Sequence, residues 1–287
     1  MLEGKLIKLE NVFTHKSSSP LVIVDCRVQI FSIISRLTQW QDNPNNQAYK
    51  EDSDYFKKLV DELAYCYWVK ILNDPLPWLP APKSGYTVIV VDDCKYSNGT
   101  YWRSKYVSNY KGNREPKGRS DLYYRIYSQF NKYISNPKCT IPVFRSEGFE
   151  ADDFAGAIAS IDISSDKFFL TKDSDWKQLV SDSNSNLFAN AASTDFRLLS
   201  EYEVLREYLD LGYALKSPSE IALVKSIYGD RSDNLDPGSP IGVIDLYNPT
   251  EKAPLDVDLL MDTVNKGCNT QDRLVKMSTT TLVQYDV

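Results

Sequence analysis

Short apolar runs alternate with longer amphipathic stretches along most of this chain. The runs that have the length of buried strands are 21–24, 87–91, 141–144, 167–170 and 186–188. The stretches with the apolar spacing of a helix are 28–37, 55–72, 119–134, 150–161, 174–180, 201–209, 218–228 and 255–264. Strands that alternate with helices predict an α/β fold with a mostly parallel central sheet.

Carboxylates recur at or just after the ends of the predicted strands and at two later turns. They are Asp25, Asp92, Glu150, Asp152, Asp153, Asp173, Asp175, Asp230 and Asp233. Sites in parallel sheets lie beyond the carboxyl ends of the strands, and acids that converge there repel one another unless cations separate them. Each acid alone is ordinarily a helix cap or a turn residue, so their joint placement predicts a site for hard divalent metal ions.

The charge of the chain is unevenly distributed. Its 33 basic and 39 acidic residues give a net charge of −6, which by itself disfavours nucleic acid as a partner. Residues 95–145, however, hold eleven Lys and Arg against two acids, with many interleaved aromatic residues. Such a block suits a single-stranded nucleic acid, with phosphates on the cations and bases on the rings. The alternative is a solvated basic helix whose tyrosines pack inward.

Histidine and cysteine chemistry is disfavoured. His15 is the single histidine, so a histidine general base is not expected. The five cysteines are scattered without close pairs, which argues against a disulfide framework and a thiolate zinc site. They are Cys26, Cys66, Cys94, Cys139 and Cys268. No apolar run is long enough to span a bilayer and no signal-peptide layout is present, so we expect a cytoplasmic protein.

Several short motifs together resemble one nuclease family. They are Asp25 after a strand, Asp92, Trp102-Arg103, Tyr110-Lys111-Gly112-Asn113-Arg114, Glu150-Ala151-Asp152-Asp153, Asp173-Ser174-Asp175-Trp176 and Gly229-Asp230-Arg231-Ser232-Asp233-Asn234. In order and spacing they resemble the flap endonuclease-like 5′-nucleases, above all phage 5′-3′ exonucleases and the 5′-nuclease domain of bacterial DNA polymerase I. The resemblance covers residues 20–245.

The resemblance implies a PIN-like nuclease domain at 20–200 after a polar leader at 1–19, with a helical arch at 95–138. A helical C-terminal region would occupy 201–287. It also implies two divalent ions, Mg²⁺ or Mn²⁺. The first would be held by Asp25, Asp92, Glu150 and Asp152. The second would be held or oriented by Asp153, Asp173, Asp175, Asp230 and Asp233.

The resemblance also implies that residues of the basic block contact the phosphates of the substrate. Lys111 and Arg114 would contact the scissile phosphate as catalytic residues beside Asp153. The residues implied to bind nucleic acid are Arg103, Lys105, Tyr110, Lys111, Arg114, Lys117, Arg119 and Arg125. This agrees with the general expectation that cations meet the charge that develops on a transferred phosphoryl group.

One segment departs from the family pattern. Related enzymes follow the Gly-Asp-x-x-Asp-Asn motif with a helix–hairpin–helix that binds duplex phosphates and often a potassium ion. At 229–247 one of its two glycines is replaced and its basic residue is missing, while Asp236 and Asp245 would repel a DNA backbone. The sequence therefore leaves open whether this degenerate segment binds duplex DNA or potassium.

The expected activity is that of a structure-specific 5′-nuclease, a 5′-3′ exonuclease or flap endonuclease. It would hydrolyse branched, nicked or 5′-tailed DNA by a two-metal mechanism that leaves 5′-phosphate and 3′-hydroxyl ends, and RNA primers in RNA–DNA hybrids are a further candidate substrate. The alternatives are a non-catalytic DNA-binding relative and a PIN-type ribonuclease on single-stranded RNA. We expect a monomer that acts beside a replicative polymerase or a single-strand-binding protein, in the host cytoplasm if a phage encodes it.

Overall fold

A computed structural model describes residues 5–7, 19–43, 46, 53–83, 85–93, 121–145, 150–159, 165–190, 197–229 and 282–284. The strands are β1 (Lys5–Ile7), β2 (Leu21–Asp25), β3 (Thr87–Val91), β4 (Val143–Phe144), β5 (Lys167–Thr171), β6 (Asn186–Asn190), β7 (Leu198–Leu199) and β8 (Leu282–Gln284). The α-helices are α1 (Cys26–Gln41), α2 (Asp54–Asn73), α3 (Asp121–Ile134), α4 (Ala151–Ala159), α5 (Glu201–Asp210) and α6 (Ile221–Tyr228). Three 3₁₀ turns cover Ser174–Leu179, Asp182–Asn184 and Pro218–Glu220.

The strands form one sheet in the order β1-β8-β4-β3-β2-β5-β6-β7. Its five central strands, from β4 to β6, pair in parallel, which confirms the predicted α/β fold with a mostly parallel sheet. The outer strands β7, β8 and β1 pair antiparallel. These three short strands were not predicted. β1 falls in the predicted leader and β8 in the predicted helical region, and the domain boundaries themselves stay a prediction.

The central strands separate two hydrophobic layers because successive side chains point to opposite faces. On β2, Val22 and Val24 pack with α1, α2 and α3, where Trp68 and Phe130 are fully buried. Leu21 and Ile23 pack on the other face with α4 and α6. This alternation also decides the face on which each polar residue at a strand end emerges.

Local capping explains several helix starts. Ser53 accepts a hydrogen bond from the amide of Phe56, 3.1 Å away, and begins α2. At α5, Ser200 and Glu203 form a reciprocal capping box. The predicted helix at 218–228 begins differently: Pro218 opens a 3₁₀ turn, and the side chain of Ser217 makes no capping hydrogen bond there. The hydroxyl groups of Ser217 and Ser219 instead bond to each other.

Helix α3 belongs to the described part, residues 121–145, of the basic, aromatic block. Its Tyr123, Ile126 and Phe130 are buried against α2, and the indole of Trp68 donates to the Ile126 carbonyl at 3.3 Å. These three side chains therefore pack inward, as the alternative interpretation expected, whereas Tyr124 on the same helix is exposed. Residues 94–120, which include most of the predicted arch, lie outside the described residues.

Among the helices of the described ranges, none combines the length and the apolar character needed to cross a membrane.

Candidate metal centre

Asp25 ends β2 and caps α1 at the carboxyl edge of the sheet. Its carboxylate accepts hydrogen bonds from the amide of Val28 at 3.1 Å and from the hydroxyl of Thr171 at 2.7 Å. The pKa of Asp25 is raised to about 7, mainly by burial; the nearby carboxylates of Asp93 and Asp173 contribute to the rise, and the two hydrogen bonds oppose it. A buried carboxylate with acidic neighbours is a candidate cation ligand.

Asp92 lies in a different environment, although the sequence placed it in the metal site. Its backbone amide donates to the Phe144 carbonyl at 3.0 Å, and its side chain is almost fully buried on the α1–α3 face. One carboxylate oxygen accepts from the hydroxyl of Tyr127 at 2.8 Å and from the guanidinium of Arg145. The other oxygen lies 3.5 Å from Nε of Arg27. The charge of Asp92 is thus balanced inside the protein.

Asp93 is the acid of this strand end that faces the site, and it is not among the residues predicted from the sequence. Its Oδ1 accepts from the amide of Ala151 at 2.8 Å, at the start of α4, and its Oδ2 lies 3.0 Å from Nε of Arg27. Burial raises the pKa of Asp93, and the carboxylate of Glu150 raises it as well, while Arg27 opposes them.

The pleat of the sheet explains why Asp93 and not Asp92 lies near Asp25. Asp25 pairs in register with Val91, so both emerge on the face covered by α4. The next residue, Asp92, points to the opposite face, and Asp93 returns to the first. The same alternation could have been counted on the sequence, because Ile89 and Val91 share that face with Ile23 and Asp25.

The acids at the start of α4 have several internal partners. Asp153 is fully buried and accepts a hydrogen bond from the amide of Glu150 at 2.9 Å, which closes the first turn. Oδ1 of Asp152 accepts from the indole of Trp176 at 2.6 Å. Glu150 is buried beside Asp93. The motif thus places Glu150 beside Asp93, whereas Asp153 closes the first turn of α4 and Asp152 joins the helix to the 3₁₀ turn at Ser174–Leu179.

The two acids after β5, Asp173 and Asp175, also have different partners. Asp173 caps the following 3₁₀ turn by accepting from the amide of Asp175 at 3.0 Å, and its amide donates to the Thr171 hydroxyl at 3.0 Å. It is also one of the carboxylates that raise the pKa of Asp25. Asp175 forms an ion pair with Lys225 of α6. Asp173 is therefore the member of this pair that faces the site.

We call Asp25, Asp93, Glu150 and Asp173 the acid cluster. All four lie at the carboxyl edge of β2, β3 and β5 or at the adjoining start of α4, and neighbouring members repel one another. Their oxygens are the donors that Mg²⁺ and Mn²⁺ prefer, so the cluster fits such ions in chemistry. In the described ranges, no three acid, His or Cys side chains are arranged to hold an ion. Asp230 and Asp233 lie outside those ranges.

Most residues predicted to contact nucleic acid lie outside the described residues, at 94–120. They are Arg103, Lys105, Tyr110, Lys111, Arg114, Lys117 and Arg119. Arg125 is described, and its guanidinium donates to Asp61 at 2.6 Å. Two unpredicted cations adjoin the acid cluster: Arg27, which forms an ion pair with Asp93, and Lys172, which directly precedes Asp173 in the sequence. Lys172 is exposed between Thr171 and Asp173, and both partial burial and the charge of Arg36 lower its pKa.

Residues 76–208 match the family described as 5′-3′ exonuclease, N-terminal resolvase-like domain. The matched segment is similar to that domain and makes up somewhat less than half of the chain. The resemblance found in the motifs is thereby confirmed, as is the PIN-like α/β class of the fold. β3, α3, β4, α4, β5, β6 and most of α5 fall inside the matched range.

Two curated relatives extend the match. The chain is 31% identical over 142 residues to DNA polymerase I of Chloroflexus aurantiacus, covering 48% of this chain and 14% of that protein. It is 27% identical over 173 residues to the flap endonuclease of Escherichia phage T5, covering 58% of this chain and 55% of that protein. The aligned segment thus spans about half the length of the phage relative and a small part of the polymerase.

Solved structures of the phage T5 enzyme are also similar. One is a complex of the flap endonuclease with DNA and metal ions, with a TM-score of 0.46 and 20% identity over 91% of this chain and 87% of that one. Another is the 5′-exonuclease with bound zinc, with a TM-score of 0.46 and 19% identity over 91% and 88%.

Proposed function

We propose that this protein is a metal-dependent, structure-specific 5′-nuclease that hydrolyses phosphodiesters of DNA. The observation that carries the proposal is the acid cluster at the carboxyl edge of the sheet. Three of its members, Asp93, Glu150 and Asp173, fall in the segment that is similar to the 5′-3′ exonuclease domain. Burial and mutual repulsion make four carboxylates costly at this edge unless cations join them. The names of the two curated relatives support DNA as the substrate.

In this proposal Asp25, Asp93, Glu150 and Asp173 hold the divalent ions, with Asp230 and Asp233 completing the set. Bound Mg²⁺ or Mn²⁺ would supply Lewis acidity for hydrolysis of a phosphodiester to 5′-phosphate and 3′-hydroxyl ends. The chain's own contribution is to fix the carboxylates. Thr171 and the amide of Val28 orient Asp25, while the amide of Ala151 orients Asp93.

Cations on both sides of the cluster would position the DNA. Lys111 and Arg114 remain our candidates for contact with the scissile phosphate, because developing negative charge is best met by fixed positive groups. Lys172, next to Asp173, would meet a neighbouring phosphate. Nicked or 5′-tailed DNA is the proposed substrate class, and RNA primers in RNA–DNA hybrids belong to the same chemistry. We further propose a monomer that works in the cytoplasm, of the host if phage-encoded, beside a replicative polymerase or single-strand-binding protein.

A cleavage assay tests this function. A 5′-flap DNA, a nicked duplex, an RNA–DNA hybrid and single-stranded RNA are incubated with the protein in Mg²⁺ or in EDTA. We expect Mg²⁺-dependent cleavage near the 5′ end of the first two substrates. Asp93→Asn and Asp173→Asn should each lower the single-turnover rate by about 100-fold or more, because each removes a carboxylate from the cluster.

The matched control is Asp210→Asn, which removes an exposed carboxylate at the end of α5 and should cleave like the wild type. DNA binding without cleavage would refute the nuclease proposal in favour of a non-catalytic relative. Cleavage of single-stranded RNA alone would instead show a ribonuclease. Full activity in Asp93→Asn would remove that residue from the metal set.

A further inference from the structure

Arg27 is a basic residue in direct contact with the acid cluster, through Asp93. It is the second residue of α1 and directly follows Asp25 and Cys26. Its Nε lies 3.0 Å from Oδ2 of Asp93 and 3.5 Å from Oδ1 of Asp92. Its Nη2 donates to the backbone carbonyl of Asp93 at 3.3 Å. One guanidinium therefore holds both carboxylates of the adjacent pair.

The position of Arg27 is electrostatically costly unless the acids offset it. The first turn of a helix carries the positive end of the macrodipole, where a cation is unfavourable, and α1 has no acidic residue in that turn. The side chain is also only 16% exposed, so water screens little of its charge. The attraction of Asp92 and Asp93 is what keeps it there.

Arg27 contacts both Asp92 and Asp93, whereas Arg145 contacts Asp92. Arg145 binds Oδ2 of Asp92, which Tyr127 also contacts, so the charge of Asp92 is balanced without help from the acid cluster. Arg27 alone of these two guanidinium groups reaches Asp93. Oδ1 of Asp93 accepts from the amide of Ala151, and Oδ2 forms an ion pair with Arg27, so each oxygen of Asp93 has a partner.

We propose that Arg27 is a built-in counter-ion of the metal centre, a positioning residue that holds Asp93 in place without metal and weakens the binding of divalent ions there. The inference rests on the proposed function, since it takes Asp93 as a metal ligand. A divalent ion that binds Asp93 must share the carboxylate with Arg27 and bear the repulsion of its charge. Metal affinity in this chain is therefore set by an arginine as well as by the acids.

The test measures Mn²⁺ binding by electron paramagnetic resonance, on the full chain without DNA. We expect Arg27→Met to bind Mn²⁺ roughly tenfold or more tightly than the wild type, because a repelling charge is removed. Arg27→Lys keeps the charge, so its Mn²⁺ affinity should stay within about threefold of that of the wild type. Without metal the Met variant should melt at a lower temperature, and Mn²⁺ should raise its melting temperature more than that of the wild type.

Arg145→Met is the matched control, because it removes the same charge from Asp92 without a contact to Asp93. Its effect on Mn²⁺ affinity should be at most about a third of that of Arg27→Met. If Arg27→Met does not fold, Arg27→Gln removes the charge and keeps a donor, and the same tightening is expected.

Equal or weaker Mn²⁺ binding in the uncharged variants, or no binding in any protein, would overturn the proposal. An unaltered affinity combined with lost stability would show that Arg27 is merely structural. Tighter Mn²⁺ binding in a chain that cleaves no DNA would leave the counter-ion proposal standing and refute the nuclease proposal alone.

Discussion

Replacing Asp25 by Asn should stabilise the metal-free protein at alkaline pH while abolishing its proposed activity. The change is isosteric, and the Asn carbonyl can still accept from the amide of Val28. The hydroxyl of Thr171, which now donates to Asp25, can turn to accept from the new amide. The substitution therefore removes a buried charge and leaves the hydrogen bonds at the start of α1 in place.

The magnitude follows from the pKa of Asp25, which burial raises from 3.8 to about 7. The folded protein then binds the proton more tightly than the unfolded chain does. The free energy of unfolding must fall as the pH rises from about 4 to about 7, and it stays low above that range. About three pH units at ~1.4 kcal/mol each amount to a penalty of about 4 kcal/mol, an upper bound for the gain in the Asn variant.

The assay is urea unfolding in EDTA at pH 5 and at pH 8. At pH 8 Asp25→Asn should exceed the wild type by up to about 4 kcal/mol, and at pH 5 by about 1–2 kcal/mol. Mg²⁺ at pH 8 should stabilise the wild type more than the variant, because only the wild type offers the carboxylate. Asp210→Asn should show no difference between the two pH values. An Asp25→Asn protein that is less stable at pH 8, or that gains equally at both pH values, would refute the reasoning.

Two further predictions concern the surroundings of the acid cluster. Asp92→Asn should lower the free energy of unfolding by about 3 kcal/mol at pH 7, because it removes the shared partner of two largely buried guanidinium groups, Arg27 and Arg145. Chemical denaturation measures this, and a loss below about 1 kcal/mol would contradict the buried network. Lys172→Gln should weaken binding of single-stranded DNA and lower the salt slope of the binding constant by about one. A titration at several salt concentrations measures it, and an unchanged slope would show that Lys172 meets no phosphate.

The sequence predicted the central part of the fold well, for a simple reason. The five strands from β2 to β6 are buried on both faces, so each is a short apolar run that composition reveals directly. The outer strands β7, β8 and β1 are two or three residues long and pair at the edge, where pairing rather than composition defines a strand. The capping of α2 and α5 is likewise local, whereas the start of α6 depends on a 3₁₀ turn that spacing alone does not distinguish from a helix.

The candidate site was predicted in its chemistry and only partly in its residues. Asp25, Glu150 and Asp173 are brought together at the expected edge. Asp92 and Asp175, by contrast, are held by arginine and lysine side chains from distant segments of the chain. Asp93 takes the place expected of Asp92. Such partners cannot be read from neighbouring sequence, because the ion pairs join residues about 50 positions or more apart.

From the sequence alone one can infer an α/β fold, carboxylates at the strand ends and motifs that resemble those of 5′-3′ exonucleases. Those properties depend on residue type and order alone. Only the tertiary structure decided which carboxylates face one another, because that depends on the register of parallel strands and on the face from which each side chain emerges. A shift of one residue moves an acid from the acid cluster into an arginine network, and at β3 this separates Asp93 from Asp92.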